Sequence, residues 1–178
     1  MTGVLGVDWS LTGTGLAWVN LDYDAVDTCT IRTWADDGSV EAIARRIQHI
    51  ADQIEAWADL HADDLVVIEG PVTHAPSAHR SKLLGGWWAT AARIAPLTDD
   101  PIHVVSPKTR AKYATGNGNA GKRAVLEAVR ANYPRFTVAN DNEADAVVLA
   151  AIGARSLGRP IDDLPASHLA ALKTKGKA

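Results

Sequence analysis

The stretch Val4-Leu-Gly-Val-Asp-Trp-Ser-Leu-Thr-Gly-Thr-Gly15 determines how the rest of the sequence is interpreted. A short apolar run ends at a single acid, Asp8, and small and hydroxyl-bearing residues separate it from a second apolar run, Leu16–Val19. This pattern predicts a buried strand, a turn and a hairpin partner strand. An ionised carboxylate on a core strand is costly unless its charge is compensated. Asp8 therefore requires a cation, a hydrogen-bonding nest or a basic partner nearby.

Length and composition predict an ordinary globular domain. The 178 residues are 47% hydrophobic and 22% charged, which suits one domain with a sizeable core. We expect no transmembrane helix and no secretory signal, because no long apolar run and no basic-then-apolar N-terminus are present. The single Cys29 excludes an internal disulfide and a cysteine-built zinc site, and suits a reducing cytoplasm. The net charge of −3 means that nucleic-acid binding would depend on local basic patches.

The order of predicted elements indicates an α/β fold. Three strands at residues 2–9, 13–20 and 27–34 form an antiparallel meander, and a long amphipathic helix follows from Ser39. A buried strand over Leu65–Gly70 precedes further elements: a helix over 78–94, a strand over 102–105, and helices from Pro107, from Gly121 and from Asn140 to about Leu157. We expect the domain to cover residues 1–160. Residues 161–178 are predicted to form a partly disordered tail with a short helical stretch.

Three acids stand at related places in this order. Asp8 ends the first strand, Glu69 ends the fourth, and Asp145 lies near the start of the last helix. Strand-terminal acids can simply occupy the solvated end of a sheet. Together, however, the three would meet at one sheet edge, where carboxylates hold Mg²⁺ or Mn²⁺. Two such ions can activate a water and stabilise the leaving oxygen of a phosphodiester.

Four segments carry a resemblance to a known family. GVDWSLTGTGLA, VVIEGP, SPKTRAKYATGNGNAGKRAVLEAV and NEADAVVLA together resemble the RuvC-type Holliday-junction resolvases of the RNase H-like superfamily. The resemblance covers about residues 3–155, with the segments in the family's order. It implies a mixed five-stranded sheet, three antiparallel strands and then parallel ones, flanked by helices. The sequence looks more like short phage-encoded members than the bacterial enzyme.

The resemblance also implies an activity. Proteins of this group are homodimeric, Mg²⁺-dependent endodeoxyribonucleases that nick two strands of a four-way DNA junction, and we expect Mn²⁺ to substitute for Mg²⁺. We therefore expect branched DNA as the partner, and the cytoplasm of a bacterial cell or a phage-infected host as the location.

Individual residues can be matched to the family pattern. Asp8 matches the acid expected to bridge both metals, and Glu69 and Asp145 match two further ligands. The family places an Asp or His three residues before the last acid, where this chain has Asn142. An amide oxygen can coordinate Mg²⁺ but supplies no charge. Asp141, four residues before Asp145, shares its helix face and is the alternative fourth ligand.

Glu143 is expected to have a structural role. It lies two residues before Asp145, and therefore on the other side of the helix. Together with Asn140 it has the spacing of a capping box.

A basic stretch predicts contact with phosphates. Between His103 and Arg135 the chain carries a single acid and these basic residues: Lys108, Arg110, Lys112, Lys122, Arg123, Arg130 and Arg135. The alternative is a solvated helix face, but clustering around Gly116 and Gly118 favours close backbone approach to DNA.

The resemblance assigns one of these lysines directly. Lys122 matches the family's Lys after the G-x-G. The family's other Lys falls opposite Ala111, which leaves Lys112 or Lys108 for that role. Such a lysine would stabilise charge that develops in the transition state.

The segment after Glu69 is predicted to be a loop over Thr73–Lys82 that reaches into the junction or contacts flanking bases. Its candidate DNA-binding residues are His79, Arg80 and Lys82. The adjacent Trp87 and Trp88 cannot share one helix face, so we expect one in the core and the other in a dimer contact or, less readily, under a stacked base. Trp9 is expected to serve packing.

Three other functions compete with junction resolution. The same nuclease site would also suit other branched DNA such as forks or flaps. A phosphate-handling ATPase or sugar-kinase half also begins with a strand, an Asp and a Gly/Thr turn, but such proteins need two lobes and more residues. A catalytically silent DNA-binding relative would follow if Asn142 marks a lost ligand.

Overall fold

The computed structural model describes residues 2–23, 25–61, 65–71, 77–98 and 100–172. The strands are β1 (Gly3–Asp8), β2 (Gly13–Asn20), β3 (Ala25–Arg32), β4 (Leu65–Glu69) and β5 (His103–Val105). The helices are α1 (Val40–His61), α2 (Ser77–Ile94), α3 (Pro107–Thr115), α4 (Lys122–Asn132), α5 (Asp141–Ser156) and α6 (Ala166–Leu169), and a 3-10 turn spans Ala95–Leu97.

The strands form one five-stranded mixed sheet in the order β3-β2-β1-β4-β5. β1 pairs with β2, and β2 with β3, in antiparallel fashion, whereas β4 is parallel to both β1 and β5. The predicted fold class is confirmed. In this register Val7 lies opposite Ile68 and Glu69 lies opposite Val105, so β1, β4 and β5 end at the same edge of the sheet.

The third strand begins earlier than the sequence predicts, at Ala25 rather than residue 27. The reason is a compact turn after β2, where the Asn20 side-chain oxygen accepts hydrogen bonds from the backbone N–H groups of Asp22 and Tyr23. Asp27, the first residue of the predicted strand, therefore lies inside β3, opposite Trp18.

Each face of the sheet is covered by helices. Leu5 and Val7 of β1 point into a core shared with α1 and α2, and Val4 points into a second core shared with α3, α4 and α5. This alternation is the period-2 pattern of a strand buried on both faces. The sheet therefore separates two hydrophobic cores, one beneath each layer of helices.

The backbone of α5 lies against the sheet, and glycines permit this approach. A Cβ on Gly6 would clash with the carbonyl of Ala146, and one on Gly15 would clash with the carbonyl of Asn142. The first two turns of α5 are thereby fixed over the ends of β1 and β2.

The packed part of the chain continues beyond residue 160, where the sequence places the end of the domain. Leu164 is buried, and the Asp162 carboxylate accepts hydrogen bonds from the hydroxyls of Tyr113 and Tyr133 at 2.8 and 2.7 Å. The predicted short helical stretch is α6. The rest of the predicted tail, 173–178, lies outside the described residues.

Within the described part of the chain, none of the helices is both long and apolar enough to cross a membrane.

Candidate active site

The structure brings Asp8, Glu69 and Asp145 together at the edge of the sheet where the parallel strands end. Asp8 is the last residue of β1 and Glu69 the last of β4, and these strands are neighbours. Asp145, in the second turn of α5, is almost fully buried. Their positions follow from the parallel register and from the close seating of α5 on β1.

A guanidinium lies among these acids. Arg110 donates from Nε to Glu69 Oε2 at 2.5 Å and from a terminal nitrogen to Asp145 Oδ1. All three side chains are largely buried, with exposed fractions of 11% for Arg110, 11% for Glu69 and 4% for Asp145. The sequence placed Arg110 on a DNA-facing surface, but the structure places its guanidinium inside the acid cluster.

The position of Arg110 beside the acids follows from strand pairing and helix capping, which the sequence analysis did not combine. Because β5 is parallel to β4, the chain leaves β5 at the edge that carries Glu69. Ser106 caps α3 by accepting a hydrogen bond from the Thr109 N–H, and Pro107 opens the helix as predicted. Arg110 follows within the first helical turn and thus lies next to the acids.

The acids raise one another's proton affinity. Burial raises the pKa of Asp8 well above its usual range, and the negative charges of Glu69 and Asp145 raise it further. Burial likewise raises the pKa of Asp145 to about 7; the charge of Arg110 opposes this shift and that of Glu69 adds to it. One guanidinium is therefore not enough to hold all three carboxylates in their charged form, and a further cation would favour that form.

The two candidate fourth ligands have different environments. Asp141 Oδ2 forms an ion pair of 2.5 Å with Lys122 Nζ, and the hydrogen bond lowers the pKa of Asp141. The Asn142 side chain lies against β2, where a Cβ on Gly13 would stand 2.8 Å from its amide nitrogen. Asp141 is thus linked to a predicted catalytic lysine, whereas Asn142 is packed against the sheet.

Glu143 has the structural role predicted for it. Asn140 caps α5 by accepting from the N–H groups of Asn142 and Glu143 at 3.0 and 3.1 Å. The buried Glu143 carboxylate accepts from the Thr30 hydroxyl and from the Ala139 N–H, each at 2.7 Å. The reciprocal bond thus reaches Ala139 rather than the N–H of Asn140 itself.

The other predicted DNA-binding residues of the basic stretch lie around the turn between α3 and α4. Lys108 is exposed and Lys112 half-buried on α3. Gly116 ends α3 in the left-handed conformation, with φ of 77°, and a Cβ on Gly118 would approach the Lys108 carbonyl at 3.1 Å. Arg123, on the first turn of α4, is exposed and pairs with Glu127 at 2.8 Å.

The segment predicted as a loop after Glu69 is helical from Ser77, so His79, Arg80 and Lys82 lie in the first turns of α2. Arg80 is exposed, and Lys82 Nζ lies 3.9 Å from Asp36. The His79 side chain and residues 72–76 lie outside the described part of the structure.

The tryptophans divide as expected. Trp87 is buried and donates from Nε1 to the Glu69 carbonyl at 2.8 Å, whereas Trp88 is 61% exposed. Trp9 is buried and donates to the Thr90 hydroxyl at 2.9 Å. Trp87 therefore supports the strand end that carries a candidate ligand.

The site contains the carboxylate oxygens that a hard divalent cation prefers, and two of its acids, Glu69 and Asp145, are bonded to Arg110. Among the described residues, no three His, Cys, Asp or Glu side chains form a ready-made metal-binding group. Carboxylate oxygens on three different elements, with more negative charge than one guanidinium compensates, fit Mg²⁺ or Mn²⁺ in chemical type.

Comparison with known proteins identifies the family. No protein-family model matches the sequence. The chain is 34% identical over 132 residues to the crossover junction endodeoxyribonuclease RuvC of Mycobacterium sp. strain KMS. The aligned residues cover 71% of this chain and 68% of that protein. It is 30% identical over 132 residues to RuvC of Mycobacterium tuberculosis strain ATCC 25177 / H37Ra, covering 71% of this chain and 66% of that one. The chain belongs to the RuvC family.

Solved structures agree with a RuvC fold. Thermus thermophilus RuvC in complex with a Holliday junction substrate superposes with a TM-score of 0.67 at 15% identity, over 89% of this chain and 98% of that one. The yeast mitochondrial Holliday junction resolvase Ydc2 superposes with a TM-score of 0.54 at 10% identity, over 83% of this chain and 75% of that one. The predicted RuvC-type resemblance is thus confirmed for the family and the fold.

Proposed function

We propose that this RuvC-family chain is an endodeoxyribonuclease that resolves four-way DNA junctions by paired nicks. The observation that carries the proposal is the convergence of Asp8, Glu69 and Asp145 at one sheet edge in a RuvC fold. The names of the curated relatives, crossover junction endodeoxyribonucleases, support the same activity.

The proposed cofactor is Mg²⁺, with Mn²⁺ as a substitute. Asp8, Glu69 and Asp145 would hold it, with Asp141 as the fourth ligand in preference to Asn142, since Asp141 supplies charge. When bound, such ions activate the attacking water and neutralise charge on the leaving oxygen.

The chain's own basic residues would hold the DNA at this site. Lys122 is 72% exposed while its amine is paired with Asp141, so it stands between the acids and solvent. A scissile phosphate next to Asp141 would receive a charge-assisted hydrogen bond from Lys122. Lys108, Lys112 and Arg123 would extend phosphate contact along α3 and α4.

Paired nicks require two active sites, because one chain supplies one copy of each acid. We therefore propose a homodimer, in which two-fold symmetry matches the symmetry of a four-way junction. A mass measurement in solution tests this point, and a strict monomer at assay concentration would contradict paired resolution.

We place the protein in the cytoplasm of a bacterial cell or a phage-infected host, where branched DNA arises. The single Cys29 is compatible with that reducing compartment.

The decisive experiment is cleavage of end-labelled four-way junctions, forks and flaps with Mg²⁺, and separately ATP hydrolysis. Symmetric nicks in the junction support the proposal. Cuts confined to forks or flaps would show a related nuclease with another substrate. ATP turnover without DNA cleavage would overturn the nuclease assignment.

A further inference from the structure

The position of Arg110 is not explained by a role on the DNA-facing surface. Its side chain is 11% exposed and spans from the first turn of α3 to an acid of β4 and an acid of α5. Lys122 and Arg123 of the same basic stretch have exposed fractions of 72% and 91%. Arg110 therefore belongs to the acid cluster.

The guanidinium uses oxygens that a divalent cation would need. It is bonded to Oε2 of Glu69 and Oδ1 of Asp145, which are two of the proposed ligands. A divalent cation bound between these carboxylates would repel the guanidinium. The two cations would also compete for the same oxygen lone pairs. The present contacts of Arg110 therefore compete with metal binding at these two carboxylates.

Charge explains why a cation is needed there even before metal binds. Three buried or half-buried carboxylates at one sheet edge repel each other, and an uncompensated buried charge is costly. Arg110 reaches Glu69 and Asp145 at once and therefore compensates two of the three carboxylates directly. Arginine stays charged at every working pH and its planar fork can bridge two carboxylates.

We infer that Arg110 is the resident counter-cation of the acid cluster, which joins Glu69 to Asp145 until a divalent cation displaces it. This inference rests on the proposed nuclease function. It assigns Arg110 a positioning role, holding Glu69 and Asp145 together before metal binding. A merely structural ion pair would not have to break.

The test is Mn²⁺ binding by the full-length chain without DNA, measured by calorimetry and by the Mn²⁺ electron paramagnetic resonance signal. Arg110→Gln removes the competing charge, and Arg110→Lys keeps a charge but loses the fork. The matched control is Arg93→Gln, because Arg93 also bridges two carboxylates, Glu55 at 2.6 Å and Asp52 at 3.1 Å, away from the site.

If the metal-competent arrangement is the minor state of the wild-type site, Arg110→Gln tightens Mn²⁺ binding by about tenfold or more. Arg110→Lys gives an intermediate affinity and Arg93→Gln leaves it unchanged. In EDTA, Arg110→Gln melts at a lower temperature than wild type, and saturating Mn²⁺ closes most of that gap. A purely structural arginine would lower the melting temperature equally with and without Mn²⁺.

Unchanged or weaker Mn²⁺ binding by both Arg110 variants would overturn the inference, whatever their stability. Junction cleavage by the wild-type protein is a separate readout, so failure of the nuclease proposal is distinguishable. A wild type that cleaves junctions, with Arg110 variants of unaltered Mn²⁺ affinity, would leave the proposed function intact and remove the counter-cation role.

Discussion

Lys122 on α4 and Asp141 on α5 are joined by an ion pair of 2.5 Å between Nζ and Oδ2. The hydrogen bond lowers the pKa of Asp141 and raises that of Lys122, so both groups stay charged at neutral pH. Asp141 lies one helical turn before Asp145, on the same face of α5. A residue that would hold a cation is thus in direct contact with one that would hold a phosphate.

This contact distinguishes the two candidate fourth ligands. We expect Asp141→Asn to lower the metal-dependent cleavage rate by roughly 10–100-fold, because it removes a charged donor and the partner of Lys122. Asn142→Ala should have the smaller effect, because that side chain packs against β2 near Gly13. Single-turnover cleavage measured across a Mg²⁺ series makes the comparison. A larger loss in Asn142→Ala would assign the ligand to the amide instead.

Lys122→Ala should slow cleavage and reduce the salt dependence of junction binding. Loss of one phosphate contact lowers the slope of log affinity against log salt by about one. The control is Arg159→Ala: Arg159 pairs with Asp22 at 2.6 Å, near the start of β1 and hence at the sheet edge opposite Asp8. A slope that falls equally in both variants would mean that Lys122 acts only through the overall charge of the chain.

Asp8→Asn, Glu69→Gln and Asp145→Asn should each abolish junction cleavage, with a loss of about a thousandfold or more. Folding and junction binding should be largely retained, because each change preserves side-chain shape and removes one negative charge. Cleavage, junction binding and circular dichroism are measured together. The matched control, Glu55→Gln on α1, should keep full activity. Unfolding of all three site variants would indicate that the acids are structural.

The positions of Asp8 and Glu69 could be predicted because each ends an apolar run, and strand ends of a parallel pair share one edge. The division of Trp87 and Trp88 followed from helix geometry alone. The role of Arg110 could not be read in this way, since it depends on which strand β5 pairs with and on where α3 begins. The start of α2 was predicted to within one residue, at 78 rather than Ser77. The loop expected over Thr73–Lys82 was too long, because Pro76 and Ser77 are equally typical of a loop and of a helix N-terminus.

Gly15→Ala should destabilise the fold by about 1–3 kcal/mol, because the new Cβ would clash with the Asn142 carbonyl and force α5 away from β2. The same displacement would move Asp141 and Asp145, so the cleavage rate should fall beyond the loss of folded protein. Urea unfolding and cleavage corrected for the folded fraction measure the two effects. Gly85→Ala is the control: a Cβ there meets no atom within 4 Å, and we expect a gain of about 0.5–1 kcal/mol.

Tyr113 and Tyr133 should make the fold sensitive to alkaline pH. Both donate to Asp162, and burial raises the pKa of each phenol above its ordinary value. Above about pH 10 the unfolded chain loses phenolic protons that the folded chain retains, so the free energy of unfolding must fall as pH rises. Tyr133→Phe removes one such proton. Without the hydrogen bond to Asp162, the variant should be less stable than wild type at pH 7. Without that phenolic proton, its free energy of unfolding should fall less steeply between pH 9 and 11, as measured by urea unfolding across that range. An equally steep decline in the variant would show that Tyr133 does not contribute to the alkaline loss of stability.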